Sequence, residues 1–127
     1  MQSGIFYEFP NLKFIVHHAG AMVPFFSDRL KWFARATKLF SQNDPNIFEQ
    51  FRNFYVDTAL YGNTSALQCA YDYYGANHIM FGTDAPLGPR WGMIEGTINS
   101  IQRMAISEAE KERIFSQNAI EMFKMAL

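Results

Sequence analysis

This chain is short of the residues from which many chemistries are built. It has one cysteine, Cys69, and three histidines in 127 residues. A lone thiol cannot form an internal disulfide framework, so the expected setting is reducing and cytoplasmic. Eleven Lys and Arg stand against 12 Asp and Glu, a net charge of −1. Without a basic field no nucleic-acid partner is expected, and without an acidic excess no solvating tail. No apolar run approaches the roughly 18 residues of a membrane span, so no membrane partner is expected either. The opening MQSGIFYEFP has no basic region ahead of an apolar stretch, unlike a signal peptide. There is no Gly-rich phosphate loop, no Gly-x-Ser-x-Gly and no His-x-His pair.

What the chain does have is apolar mass. Hydrophobic residues make up 49% of it, including 13 Phe, 6 Tyr and 7 Met. That is enough to pack the core of one ordinary domain, read here as residues 1–127. Three short runs read as strands: Leu12–His17, Phe54–Asp57 and His78–Gly82. Each is nearly continuously apolar, as strands covered on both faces are. Helical patterns lie between and after them. Met22–Phe40 carries Phe25, Phe26, Leu30, Phe33, Leu39 and Phe40 on one broad face, which Trp32 can join. Asn63 or Thr64 can cap Ser65–Tyr74, with Gly75 at the left-handed C-terminal position. Gln42–Asn46 reads as a loop, and Trp91–Ala105 as a further helix. Ser107-Glu108-Ala109-Glu110 reads as a capping box opening Glu108–Phe115. A last helix from Ser116 turns Ile120, Phe123 and Leu127 inward.

Strands alternating with helices predict an α/β fold with parallel pairing. In such folds chemistry gathers at the C-terminal strand ends. His17-His18, Asp57 and Asp84 all fall there, whereas His78 begins its strand and reads as structural or solvent-exposed. Histidine exchanges protons near neutral pH, so His18 is a candidate acid–base group; capping a helix or satisfying buried backbone is the equally weighted alternative. Strand alternation turns His17 the other way, toward packing. Asp84, in FGTDAPLG, suits a metal ligand or proton carrier, or an Asx turn. Asp57 carries the same ambiguity, with turn chemistry favoured by Thr58 and Asn63. Arg29 can grip a carboxylate in a fork or pair with Asp28 on the surface. Cys69 reads as a buried, unactivated thiol. One His and one or two Asp cannot close a zinc site, which takes three or four protein ligands.

Taken in order, FPNLKFIVHHAGAMVP, NFYVDTA, HIMFGTDAPLG and ISEAEKERIFSQNAIEMF carry a resemblance. They resemble the C-terminal part of the amidohydrolase-2 family, which includes aminocarboxymuconate-semialdehyde and γ-resorcylate decarboxylases. The resemblance implies a partial (β/α)8 barrel: strands six to eight and the closing helices, with Asn118-Ala119 matching the family's Asn-Ala pair. It implies that His18 is the catalytic histidine, that Asp84 is a metal ligand and proton carrier, and that Arg29 reaches a substrate carboxylate. It implies a divalent metal, zinc first, with manganese or magnesium as alternatives, and a small carboxylated substrate that is decarboxylated or hydrolysed. Pro24 matches the family's proline; the turn His-Ala-Gly-Ala departs from the commoner His-Gly-Gly.

The matched stretches supply three of eight βα units, so the metal site is expected to be incomplete and the chain to be part of a larger enzyme. Three parallel strands cannot close a barrel. The exposed sheet face and edges then predict a homo-oligomer. Two further readings stand beside the enzyme: a non-catalytic oligomerising half-barrel, and an unrelated three-layer α/β binding domain in which His18 and Asp84 are incidental.

Overall fold

The computed structural model describes residues 5–37, 48–88 and 93–126. Three strands, β1 (Ile15–Val16), β2 (Tyr55–Asp57) and β3 (Ile79–Met80), form one parallel sheet in the order β1-β2-β3. Ile15 and Val16 stand opposite Tyr55 and Val56; Val56 and Asp57 stand opposite Ile79 and Met80. The three expected strands are therefore present, parallel and in sequence order, but shorter than their apolar runs. The β2–β3 ladder ends where a side chain replaces it: Thr58 Oγ1 donates to Gly82 O at 2.9 Å and accepts from Gly82 N–H at 3.1 Å. One hydroxyl can do both, so the backbone of Gly82 is satisfied without further strand.

Helix Thr64–Tyr74 follows β2. Asn63 caps it, its side chain accepting from Ala66 N–H at 3.0 Å. Gly75 ends it with φ +75° and ψ 161°, a positive-φ extended conformation open essentially to glycine and different from the expected left-handed helical one. Helices Met93–Gln102 and Glu108–Glu112 come next, then a π-helical turn Arg113–Gln117 and helix Asn118–Phe123. The capping box forms as expected. Ser107 Oγ accepts from Glu110 N–H, while Glu110 Oε2 accepts from Ser107 N–H at 2.9 Å. The expected continuous helix to Phe115 instead widens into the π-helical turn. The expected loop at Gln42–Asn46 lies outside the described residues, as do Leu39, Phe40 and Leu127.

The core lies between the sheet and these later helices. Val56, Leu67, Ile79, Ile101 and Ile114 are fully buried there, with Tyr73, Tyr74 and Met104 around them. Asn118 fastens the C-terminal helix to the entry of β3: its Nδ2 donates to Ala76 O and Ile79 O, both at 2.7 Å. Phe81 N–H donates to Ile114 O at 2.8 Å beside them. Phe123, expected inside, is exposed.

The first long helix, Val23–Thr37, corrects the sequence reading most. Its apolar face is not buried: Phe25 is 76% and Trp32 75% exposed, and Phe26 and Phe33 are exposed as well. The pattern marks a face that gains from cover; among the described residues nothing supplies that cover. Ile15 on β1 and Leu12 just before it are exposed too.

Candidate active site at the strand ends

His17 and His18 do not continue β1. Residues 18–21 all have positive φ: His18 +53°, Ala19 +54°, Gly20 +78° and Ala21 +54°. A left-handed turn therefore replaces the expected strand end, and alternation does not set the facing of the two rings. Both histidines are exposed, contrary to the packing role expected of His17. Their rings meet edge to face at 5.7 Å. Gly20 is required at the base of the turn, because a Cβ there would lie 2.5 Å from Tyr74 Oη. The Tyr74 hydroxyl is buried with no hydrogen-bond partner among the described residues. Burial, with the neighbouring Tyr73 second, pushes its ionisation well above the ordinary tyrosine range.

The loop after β2 receives this turn. His18 Nδ1 lies 3.1 Å from Ala59 O. A carbonyl oxygen only accepts, so Nδ1–H is the donor and Nε2 carries the lone pair of the neutral ring. Asp57 Oδ1 accepts from Ala59 N–H at 3.1 Å, the turn bond its sequence context favoured. It also accepts from Ala19 N–H at 3.3 Å, across from the other strand end.

Asp84 stands in the loop after β3 with φ +63°. Its Oδ2 accepts from Tyr61 Oη–H at 2.8 Å. That bond, followed by burial and the carboxylate's charge, raises the Tyr61 ionisation above its ordinary value. His18 and Asp84 thus sit at the same end of the sheet. Both are tied to one segment, 57–61: His18 through Ala59, Asp84 through Tyr61. Tyr61 was not singled out from the sequence; its nearness to Gly62 in a loop after a buried strand was the only available signal.

The other candidates lie apart. Arg29 is exposed on helix Val23–Thr37, and among the described residues it forms no ion pair with Asp28 or any other acid. His78 is structural, as expected: Nδ1–H donates to Phe54 O at 3.0 Å and the ring stacks on Tyr55 at 4.8 Å. Cys69 is half-buried rather than buried. It lines a mainly apolar cavity of ≈ 210 Å³ with His18, Ala19, Pro24, Phe25 and Leu60.

Asp84 is the one proposed metal donor in this arrangement. Among the described residues no three His, Cys, Asp or Glu side chains converge as a metal site requires. The described residues therefore do not fit a metal by themselves.

A family model described as amidohydrolase matches residues 1–125. A 6-methylsalicylic acid decarboxylase from Penicillium expansum is 29% identical over 97% of this chain and 38% of its own length. A gamma-resorcylate decarboxylase from Polaromonas sp. is 31% identical over 98% of this chain and 38% of its own. A solved dihydroxybenzoic acid decarboxylase from Polaromonas sp., with bound manganese and the inhibitor 2-nitroresorcinol, superposes with a TM-score of 0.78 at 29% identity. The match covers 97% of this chain and 37% of the solved one. The chain spans under two-fifths of the length of each.

Proposed function

We propose, from the premise that the chain belongs to the amidohydrolase-2 family, that it is the C-terminal three-unit part of a (β/α)8-barrel decarboxylase. The enzyme would depend on a divalent metal and act on a small carboxylated aromatic substrate. The observation that carries this reading is the placement of His18 and Asp84 at one end of a parallel sheet, both tied to segment 57–61. Decarboxylases of aromatic acids are similar to the whole of that sheet.

Decarboxylation of a hydroxylated aromatic acid needs a proton at the ring carbon that bears the carboxylate. The C–C bond then breaks, its electron pair restores the aromatic ring, and carbon dioxide leaves. With Nδ1–H committed to Ala59 O, His18 can take up and deliver that proton at Nε2. Asp84, steadied by the Tyr61 hydroxyl, would be one donor to a metal whose other donors lie outside the described residues. Such a metal would polarise substrate oxygens as a Lewis acid. Manganese in the solved relative supports a divalent ion; zinc, the first expectation, has no such support. Arg29, exposed on its helix, would meet a substrate carboxylate only when another chain or segment brings one to it.

A second reading has its own support. The described residues complete no metal site, and the apolar face of helix Val23–Thr37 is uncovered. The isolated chain would then be a non-catalytic, self-associating half-barrel. Equilibrium dialysis against manganese and zinc, with solution scattering on the same samples, separates the two. Stoichiometric metal that survives His18→Ala and is lost in Asp84→Ala supports the enzyme reading. A folded oligomer without metal supports the second. A monodisperse monomer of about the chain mass, 14.7 kDa, counts against self-association.

A further inference from the structure

We propose that Asp57 is the positioning residue of His18: its carboxylate fixes both the backbone turn that carries the imidazole and the carbonyl that sets its tautomer. The case rests on geometry at the strand ends. One oxygen, Asp57 Oδ1, accepts from Ala19 N–H and from Ala59 N–H. The first bond holds the residue after His18, and the second holds the amide of Ala59, the residue whose carbonyl receives His18 Nδ1–H. Asp57 therefore grips the histidine from both its backbone and its ring. Its bonds bridge β1 to β2 where the sheet ladder has ended.

The turn needs such a grip. His18, Ala19 and Ala21 are non-glycine residues with positive φ, a conformation that side chains with a Cβ disfavour. Strain of that kind persists only where the surroundings determine it. A charged acceptor bonded to two backbone donors is among the stronger devices for doing so. Gly82 leaves room for it: a Cβ at that position would lie 3.0 Å from Asp57 Cβ. The sequence places the carboxylate at the last position of β2, where it also makes its own turn bond. Asp57 acts through His18. Its importance for catalysis rests on the reading of His18 as the proton carrier, but its hold on the ring does not.

The test reads the imidazoles by nitrogen-15 NMR of the whole 127-residue chain at a pH where all three are neutral. His18 and His78 are expected in the Nδ1–H form, and His17 in the Nε2–H form that free imidazole favours. In Asp57→Ala the His18 signature should move from Nδ1–H toward Nε2–H. His78, bonded to Phe54 O just before β2 and not to the Asp57 carboxylate, should keep its signature and so report an intact fold. If Asp57→Ala does not fold, Asp57→Asn keeps the shape with a weaker acceptor. Hydrogen exchange at the Ala19 and Ala59 amides should then rise severalfold, with the His78 signature unchanged. The proposal is overturned if His18 is not in the Nδ1–H form in the unaltered chain. It is equally overturned if His18 keeps that form in a folded Asp57→Ala, or if Asp57→Asn leaves both amides exchanging at the original rate. None of these outcomes depends on metal binding or turnover, so failure here is distinct from failure of the decarboxylase reading.

Discussion

Replacing Asn118 with alanine should unfasten the C-terminal helices from β3. Asn118 is 2% exposed, and its Nδ2 donates to two backbone carbonyls at 2.7 Å. Alanine removes both donors; Ala76 O keeps the Ile79 N–H, so Ile79 O is the carbonyl that loses its side-chain partner in a closed site. Stranding a buried polar group costs about 1–3 kcal/mol, and carbonyls, with two lone pairs, fall toward the low end. For the one carbonyl left without its partner the cost is about 1–2 kcal/mol, partly offset by removal of the unpartnered Asn118 Oδ1, against the roughly 5–15 kcal/mol that stabilises a domain. Urea denaturation followed by circular dichroism should show the midpoint falling with an unchanged slope. The small cavity left by alanine is a competing cause, and Asn118→Leu separates the two. Leucine refills the space but donates nothing, so it should remain destabilised by a similar amount. A change within about 0.5 kcal/mol for Asn118→Ala, the scale of an ordinary surface substitution, would refute the clamp. Recovery in Asn118→Leu would assign the cost to packing.

Two further outcomes follow from the same geometry. Gly20→Ala should destabilise by at least about 1 kcal/mol from its +78° φ alone, and by more because its Cβ meets Tyr74 at 2.5 Å. Thermal melts should show this, and Tyr74→Phe alone should be neutral or slightly stabilising, since it removes an unsatisfied buried hydroxyl. Stability should also fall at both ends of the pH range through Glu110, which accepts from Ser107 and, at 2.6 Å, from Tyr71 Oη–H. Glu110 is held below its ordinary 4.5 first by Ser107 and then by Tyr71. Its contribution is therefore present above that value and lost as pH falls through the lowered one. Tyr71 is raised above 10.0 mainly by its bond to Glu110, so its contribution is present below 10.0 and lost as pH rises through the raised value. Tyr71→Phe should flatten the alkaline fall measured by denaturation. It should leave most of the acid fall, which Ser107 chiefly sets.

The residues most legible in the sequence were those whose role is local. The capping box at Ser107, the Asn63 cap and the three apolar strand runs are written in neighbouring positions, because capping and strand propensity act over a few residues. His78 was read as structural or solvent-exposed from its position at a strand start, and its bond to Phe54 O makes it structural. The order of the strands also followed from the sequence, since short βα connections leave few alternatives.

Other features depended on groups that meet only in the folded chain. Alternation assigned His17 and His18 to opposite faces of a strand, but the turn they occupy is left-handed. What holds it is a carboxylate 38 positions away from Ala19. Asp57 was legible as a turn residue and illegible as a bridge between strand ends. Tyr61 became part of the site only through its bond to Asp84. The apolar stripe of Phe25 to Phe33 was legible as a face that gains from burial. Periodicity reports that gain but not the source of the cover, which is a property of packing. The sequence by itself determined the element types, the parallel α/β order and the end of the sheet where His18, Asp57 and Asp84 gather. Only the tertiary structure decided which nitrogen of His18 is free, because that is set by the Ala59 carbonyl in the loop after β2.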